Sequence, residues 1–528
     1  MTARTQPWAI AAFVALALAT AGCNDYLSGP GVSSDPNNIT KLTRPGPLYI
    51  GIQAAQGVQF QSQIARNAAE YVQQISGNSR QQIGFDRYAI DPTTIDPYWT
   101  SVYGSNRTLN GGGGLLDIRK MQQLARGLGD SLYIGIGKVY EALVMDMAAT
   151  VWGDVPYRQA ADSNNQTPAF DPQLQVFADL QAQLDSAINI YLPAAGPTNL
   201  GPPQDNAELI YQGRDAAGLR EVYTQVAHSL KARIYMHTAE VDPNSYAAAL
   251  AEVPLGISTP DNDFNWFADA TPNGNNIWWQ FMATRGDIGP GAAMIEIMKH
   301  RIAAGLEDSS RINFYFTPAT DSTGAPLGFF GFRPAGTTGM QTAAGVDPGN
   351  GVLPPGGTSP VYSGFNFIDP NIDAGDFRQP EITYDETQLI GAEAAFHTGG
   401  QGAAQPFLDA ARATRGYGAR GVTPNVFPPI GPAPATLENI INEKYEQEFL
   451  NIEAWNDYKR TCLPPLAPAP PVGSTTPGPG PIPGRMPYGI TEINANPNTP
   501  SVSPTGQNAN DPNPCPPLNY TSSVPLGS

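Results

Sequence analysis

Charge is scarce in this chain of 528 residues: only 14% are Asp, Glu, Lys or Arg, against a usual quarter. Basic residues are the scarcer kind, 29 against 47 acidic, and the net charge of −18 argues against nucleic acid as a partner. Histidine occurs four times, at His228, His237, His300 and His397, each isolated on a helical stretch. None forms a His-Glu-x-x-His zinc arrangement, so a structural role is expected for each. The sequence has no Gly-x-Ser-x-Gly elbow and no phosphate loop ending in Gly-Lys-Ser/Thr. Gly111 to Gly114 precede a helix without the strand and lysine that phosphate binding needs, and read as a joint. Asp146 and Asp154 are a conceivable glycosidase dyad, but nothing separates them from ordinary capping carboxylates. Arg285-Gly286-Asp287 is too short to carry an adhesion role. The expectation is a protein without catalytic residues, metal or cofactor.

Long apolar runs are also missing, with one exception at the N-terminus. Arg4 supplies a positive start, Trp8 to Ala19 is almost unbroken apolar sequence, and Thr20-Ala21-Gly22 leads small residues up to Cys23. The run is too short for a permanent span, so residues 1–22 read as a cleaved signal and Cys23 as a lipidation site. Thr20 departs from the Leu usual at that position of lipoprotein signals; an ordinary secretory signal with a chance cysteine is the alternative. Beyond it, the chain is expected to be soluble apart from its anchor.

Cysteine is rare in a way that fits export. With Cys23 lipidated, Cys462 and Cys515 remain as an even pair, each in a Pro-rich stretch. A disulfide between them closes a loop of about 50 residues, worth roughly 4 kcal/mol of chain entropy. Two unpaired thiols are the alternative.

What is abundant is glycine (55) and proline (52), which separate helical patterns with long loops. Residues 23–46 read as a tether. Apolar periodicity predicts helices over Pro47–Ile75, Pro97–Leu109, Leu115–Leu128, Ser131–Val151, Asp171–Tyr191, Leu219–Val241 and Tyr246–Val253. From 254 to 383 the chain turns to Gly, Pro, Asn and aromatics, with Ala292–Ala304 as the one clear helix. Helical patterns return at Tyr384–Phe396, Ala403–Arg415 and Leu437–Trp455, before a Pro/Gly-rich strap over 462–528. The reading is a single domain over 47–528: a helical scaffold (47–253 and 384–461), a loop-rich insert and a strap. The paired helices suggest degenerate helical repeats, although no strict period is found.

Aromatics inside the loop-rich stretch single out Trp266, Trp278, Trp279 and Phe281, with Arg285 beside them. Such rings stack on sugars or line a peptide groove, while Asn, Gln and Arg orient the ligand. The competing reading is satellite core between loops and helices.

Several segments resemble the SusD/RagB family of nutrient-binding outer-membrane lipoproteins. Residues 142–160, ALVMDMAATVWGDVPYRQA, are similar to that family's helix ending in an aromatic-Gly-Asp-Val-Pro-Tyr turn. Asp35-Pro36-Asn37-Asn38, Phe170-Asp171-Pro172-Gln173, and Ala227-His228-Ser229-Leu230-Lys231-Ala232-Arg233 resemble further family segments, in order, with His228 at the usual Asn. Glu443-Lys444-Tyr445, the run from Glu453 to Thr461, and Ile482 to Tyr488 with Glu492 resemble its C-terminal signature and closing strap. Cys462 stands where the family usually has Gly, which supports the local pairing with Cys515. Tyr384 to Ile390 resembles a branch without assigned sugar specificity.

The resemblance implies an all-α, mainly helical fold with a tetratricopeptide-like helix-pair scaffold and an irregular ligand-binding region. It also implies a SusC-like TonB-dependent transporter as partner, and an oligosaccharide or peptide as ligand. The protein would be a lid on the outer membrane, facing outward on its lipid. A lipid-anchored hydrolase and a structural helical-repeat adaptor are the other readings. The first lacks convergent catalytic groups, and the second has no use for exposed tryptophan.

Overall fold

The computed structural model describes residues 42–500, except 105–111, 163, 195–200, 272–273, 321–322, 335–362, 415, 421–422, 427–431 and 470–481. The signal, Cys23, most of the tether and Cys515 lie outside the described residues. Among the described residues no helix is long and apolar enough to cross a membrane.

The chain opens with α1 (Gly46–Gln61) and α2 (Gln63–Tyr71). Periodicity predicts one helix here, but Ser62, at ψ −144°, leaves the helical region and divides it. After a short strand, β1 (Ile75–Gly77), comes α3 (Pro92–Tyr103). It begins earlier than the predicted Pro97 because Asp91 caps it, accepting from the Thr94 N–H at 2.8 Å. Pro92 sits in the first turn, where a missing N–H costs nothing.

Helices α4 (Leu115–Leu128) and α5 (Ser131–Trp152) form the first pair of the scaffold. Gly129, at φ +71°, ends one in the left-handed region and Asp130 caps the next through Tyr133 N at 3.2 Å. Every residue from Leu132 to Trp152 is buried, the charged Lys138, Glu141 and Asp146 included. α6 (Gln173–Ser186) packs on α5 and continues as one π-helical turn, Ala187–Tyr191. α7 (Ala216–Thr238) and α8 (Asn244–Glu252) make the second pair, broken at Asp242-Pro243.

The predicted loop-rich region carries more local structure than its composition suggests. It contains β2 (Phe264–Asn265), α9 (Ile277–Thr284), β3 (Ile288–Pro290), α10 (Ala292–Ala303), α11 (Ser310–Tyr315), β4 (Ala319–Thr320), β5 (Pro326–Gly328) and β6 (Pro380–Ile382). Two antiparallel ladders organise it. β1 pairs with β3, Ile75 opposite Pro290, tying the region to the scaffold, while β2 pairs with β6, Phe264 opposite Ile382, joining its two ends.

α12 (Tyr384–Gly399) and α13 (Gln401–Thr414) form a third pair, with a short β7–β8 hairpin (Gly416–Arg420, Thr423–Val426) after it. The single helix predicted over Leu437–Trp455 is instead α14 (Leu437–Gln447) and α15 (Glu453–Thr461). Leu450, at φ +66°, turns the chain between them. A last short helix, α16 (Ile490–Ala495), contacts α3. The architecture is mainly helical: among the described residues three helix pairs are joined through α7, which packs on both α5 and α12, in the tetratricopeptide-like manner.

Much of the scarce charge is inside. Glu443 on α14 binds the guanidiniums of Arg301, Arg311 and Arg412, the last at 2.6 Å. Its neighbour Lys444 reaches Asp457 at 2.6 Å and Glu393 at 3.2 Å, and Arg460 meets Glu393 at 2.8 Å. These buried pairs lock the final helices against α10, α11, α12 and α13. Removing one partner of such a group costs far more than the intact group contributes.

Candidate ligand-binding face

The aromatics singled out by sequence sit mostly on a helix rather than in a loop. Asn276 starts α9: its side-chain oxygen accepts from Trp278 N at 2.9 Å and Trp279 N at 3.3 Å. Its amide nitrogen donates to the Phe377 carbonyl at 3.0 Å, holding α9 to the segment before β6.

The five residues separate by environment. Trp278 is fully buried in the main core, and its Nε1 has no hydrogen-bond partner among the described residues. Trp266 is also buried and donates to the Gln53 carbonyl on α1 at 2.9 Å; a side chain on Gly57 would overlap its ring. Neither ring offers a free face, so both pack as core. Trp279 is half-buried and bonds the Asp373 carbonyl at 2.9 Å, with Gly375, at φ +81°, packed beneath its ring. Phe281 is half-buried and Arg285 exposed. Arg285 follows Thr284 at the C-terminal cap of α9, its backbone N–H donating to the Phe281 carbonyl at 2.8 Å.

Folding adds two residues that sequence reading missed. The Arg66 guanidinium of α2 lies 4.1 Å from the Phe281 ring centroid, a cation–π contact. Tyr98 of α3 is half-buried close enough to Arg66 to act on its charge. Burial first, and Arg285 in addition, bring the Arg66 guanidinium down to about 10; Tyr98 and Glu70 oppose them. Arg66 and Tyr98 precede Phe281 by well over a hundred residues, and no local pattern marks either one.

Two other places gather polar groups or open a cleft. His237, expected to be isolated, is instead held between Asp146 Oδ1 at 3.0 Å and Glu453 Oε2 at 2.9 Å, fully within the scaffold. The three groups lie within 4.8 Å of one another, close enough to hold a metal ion. Both ring nitrogens already face carboxylates, however, which suits a doubly donating imidazolium. Burial would push its pKa down; Asp146 and Glu453 outweigh that and hold it at about 9. The second place is a cleft of about 700 Å³ between α6 and α7, lined by Leu174, Phe177, Ile234, Tyr235 and Val241 among others.

Cys462 closes α15 in the left-handed region at φ +58° and is disulfide-bonded. Its expected partner Cys515 lies outside the described residues.

The family model for SusD-like proteins, described as starch-binding associating with outer membrane, matches residues 36–489. No curated protein matches the sequence significantly. Among solved structures, a chitin-binding protein superposes with a TM-score of 0.65 at 19% identity, over 89% of this chain and 98% of its own. A SusD/RagB family protein from Bacteroides thetaiotaomicron gives 0.61 at 18% identity, over 91% of this chain and 99% of its own. A Bacteroides vulgatus protein, provisionally assigned to the outer membrane and to nutrient binding, gives 0.63 at 16%, over 89% and 99%. At such identities the likeness speaks to the fold.

Proposed function

This chain belongs to the SusD-like family, whose description is starch-binding associating with outer membrane, and we propose from that premise that it is a surface lipoprotein feeding nutrient to a transporter. Acyl chains on Cys23 anchor it to the outer membrane, facing outward. It binds an oligosaccharide or peptide and delivers it to a SusC-like TonB-dependent barrel, which it covers as a lid.

The observation that carries this reading is the family match across residues 36–489, joined to a face where Phe281, Tyr98, Arg66 and Arg285 come together. A lid must swing without deforming. The shared core, the ladder between β1 and β3, and the buried ion pairs around Glu443 and Glu393 suit a body that moves as one piece. A lipidated tether then supplies the freedom to open. The role calls for reversible binding and no chemistry on the cargo.

The test is isolation from outer membranes through an affinity tag. A large TonB-dependent barrel should co-purify, and Cys23→Ser should move the protein out of the membrane fraction. Recovery without a barrel would reject the lid role, and retention of the C23S protein in the membrane would reject the anchor.

A further inference from the structure

We propose that Arg66 and Arg285 form an anion-recognising subsite beside Phe281 and Tyr98, and that the cargo read there is an oligosaccharide bearing uronate carboxylates. The inference rests on the binding role proposed above and names the class of its ligand.

The argument begins with an unneutralised charge. Arg66 is only 6% exposed, yet among the described residues its guanidinium makes no ion pair. Nε and Nη2 share a single acceptor, Gln63 Oε1, at 3.4 and 3.3 Å, and Nη1 has no partner there. The carboxylate that acts on it, Glu70, lies one turn further along α2 without bonding to it. Burial first, and Asp86 next, raise the pKa of Glu70 against the pull of Arg66, and no hydrogen bond joins the two groups. Four other buried guanidiniums, those of Arg233, Arg301, Arg311 and Arg460, each meet at least one carboxylate.

A second cation stands next to the first. Arg285 projects from the end of α9, and among the described residues its side chain hydrogen-bonds only to Gln81 Oε1, at 3.5 Å. Asp287, two residues on, is engaged by Arg80 and by Ser79 instead. A buried arginine without a carboxylate is costly unless an anion completes it, and the exposed Arg285 adds a second positive charge at the same place. Their forked donors suit a carboxylate in two-point contact. The surroundings favour a sugar as its carrier. Phe281 and Tyr98 are partly exposed rings that can meet a pyranose, and the exposed side-chain amide of Gln81 can serve hydroxyl groups.

The experiment titrates the detergent-solubilised full-length protein by calorimetry with oligogalacturonate, oligomannuronate, maltoheptaose and an oligoglutamate peptide. A uronate oligosaccharide should bind, with affinity falling as salt is added. R285Q and R66Q should each weaken it about tenfold, the effect of losing a charge-assisted hydrogen bond. R66K, which keeps charge but not the fork, should fall between. Because Arg66 is buried, R66Q is first checked for folding, and the surface variant R285Q decides if it fails. Uronate binding unaltered in R285Q, or oligoglutamate binding as tightly as the sugars, would overturn the inference. Binding of maltoheptaose alone would overturn it and leave the nutrient-binding role standing; silence from all four probes would count against both.

Discussion

The indole N–H of Trp152 donates to the carbonyl of Pro487 at 3.0 Å, joining the end of α5 to a strap 335 residues further on. Met486 N bonds the Val151 carbonyl at 2.9 Å and Tyr488 Oη bonds that of Asp154 at 2.9 Å, so two family segments are fastened to each other.

This junction predicts two separable losses. Trp152→Phe leaves a buried carbonyl without its donor and should cost about 1–3 kcal/mol. Gly153 sits at φ +84° with the Arg485 guanidinium where a side chain would go. Gly153→Ala should therefore cost at least about 1–3 kcal/mol in backbone strain, with the overlap in addition. Urea unfolding of both variants measures each, and wild-type stability in either would show that the strap is not tied here.

Glu443 is the shared partner of Arg301, Arg311 and Arg412, whose charges hold its carboxyl well below the usual range against the opposing effect of burial. Glu443→Gln should destabilise the protein by about 3–5 kcal/mol, because three buried guanidiniums lose their common anion. Guanidinium chloride would mask the effect by screening, so urea is the denaturant to use.

His237 should make stability fall in alkali. Its pKa is raised from 6.5 to about 9, burial opposing and Asp146 with Glu453 favouring the charged ring. A raised folded pKa means the contribution is complete below pH 6.5 and lost as pH climbs through 9, up to about 3 kcal/mol. Thermal unfolding across that range should show a decline that His237→Gln flattens. An identical decline in the variant would assign it to other groups.

Trp278 and Phe281 should respond oppositely. Trp278→Ala empties a fully buried site and should cost about 3–5 kcal/mol of stability. Phe281→Ala removes a half-buried ring under Arg66 and should weaken ligand binding with a smaller loss of stability. Calorimetric binding paired with unfolding separates the two; equal stability losses would mean that Phe281 is core as well.

Legibility followed the reach of each signal. α5 is readable because a helically patterned segment bounded by Asp130-Ser131 and Trp152-Gly153 admits little else. α9 is not, since an eight-residue segment rich in tryptophan reads equally as loop or helix until Asn276 is seen to cap it. The same ambiguity hid which rings are buried: Trp278 and Trp279 are adjacent and chemically identical, and only their neighbours differ. His237 looked solitary because Asp146 and Glu453 are 91 and 216 residues away.

The sequence by itself determined the helical character, the order of the family segments and the expected lipid site, because periodicity, caps and motifs are written in neighbouring residues. Only the tertiary structure decided which aromatic presents a face and which arginine goes without a carboxylate. Those depend on what α2, α3 and α9 bring together in space, and burial and charge balance are properties of that assembly rather than of any one segment.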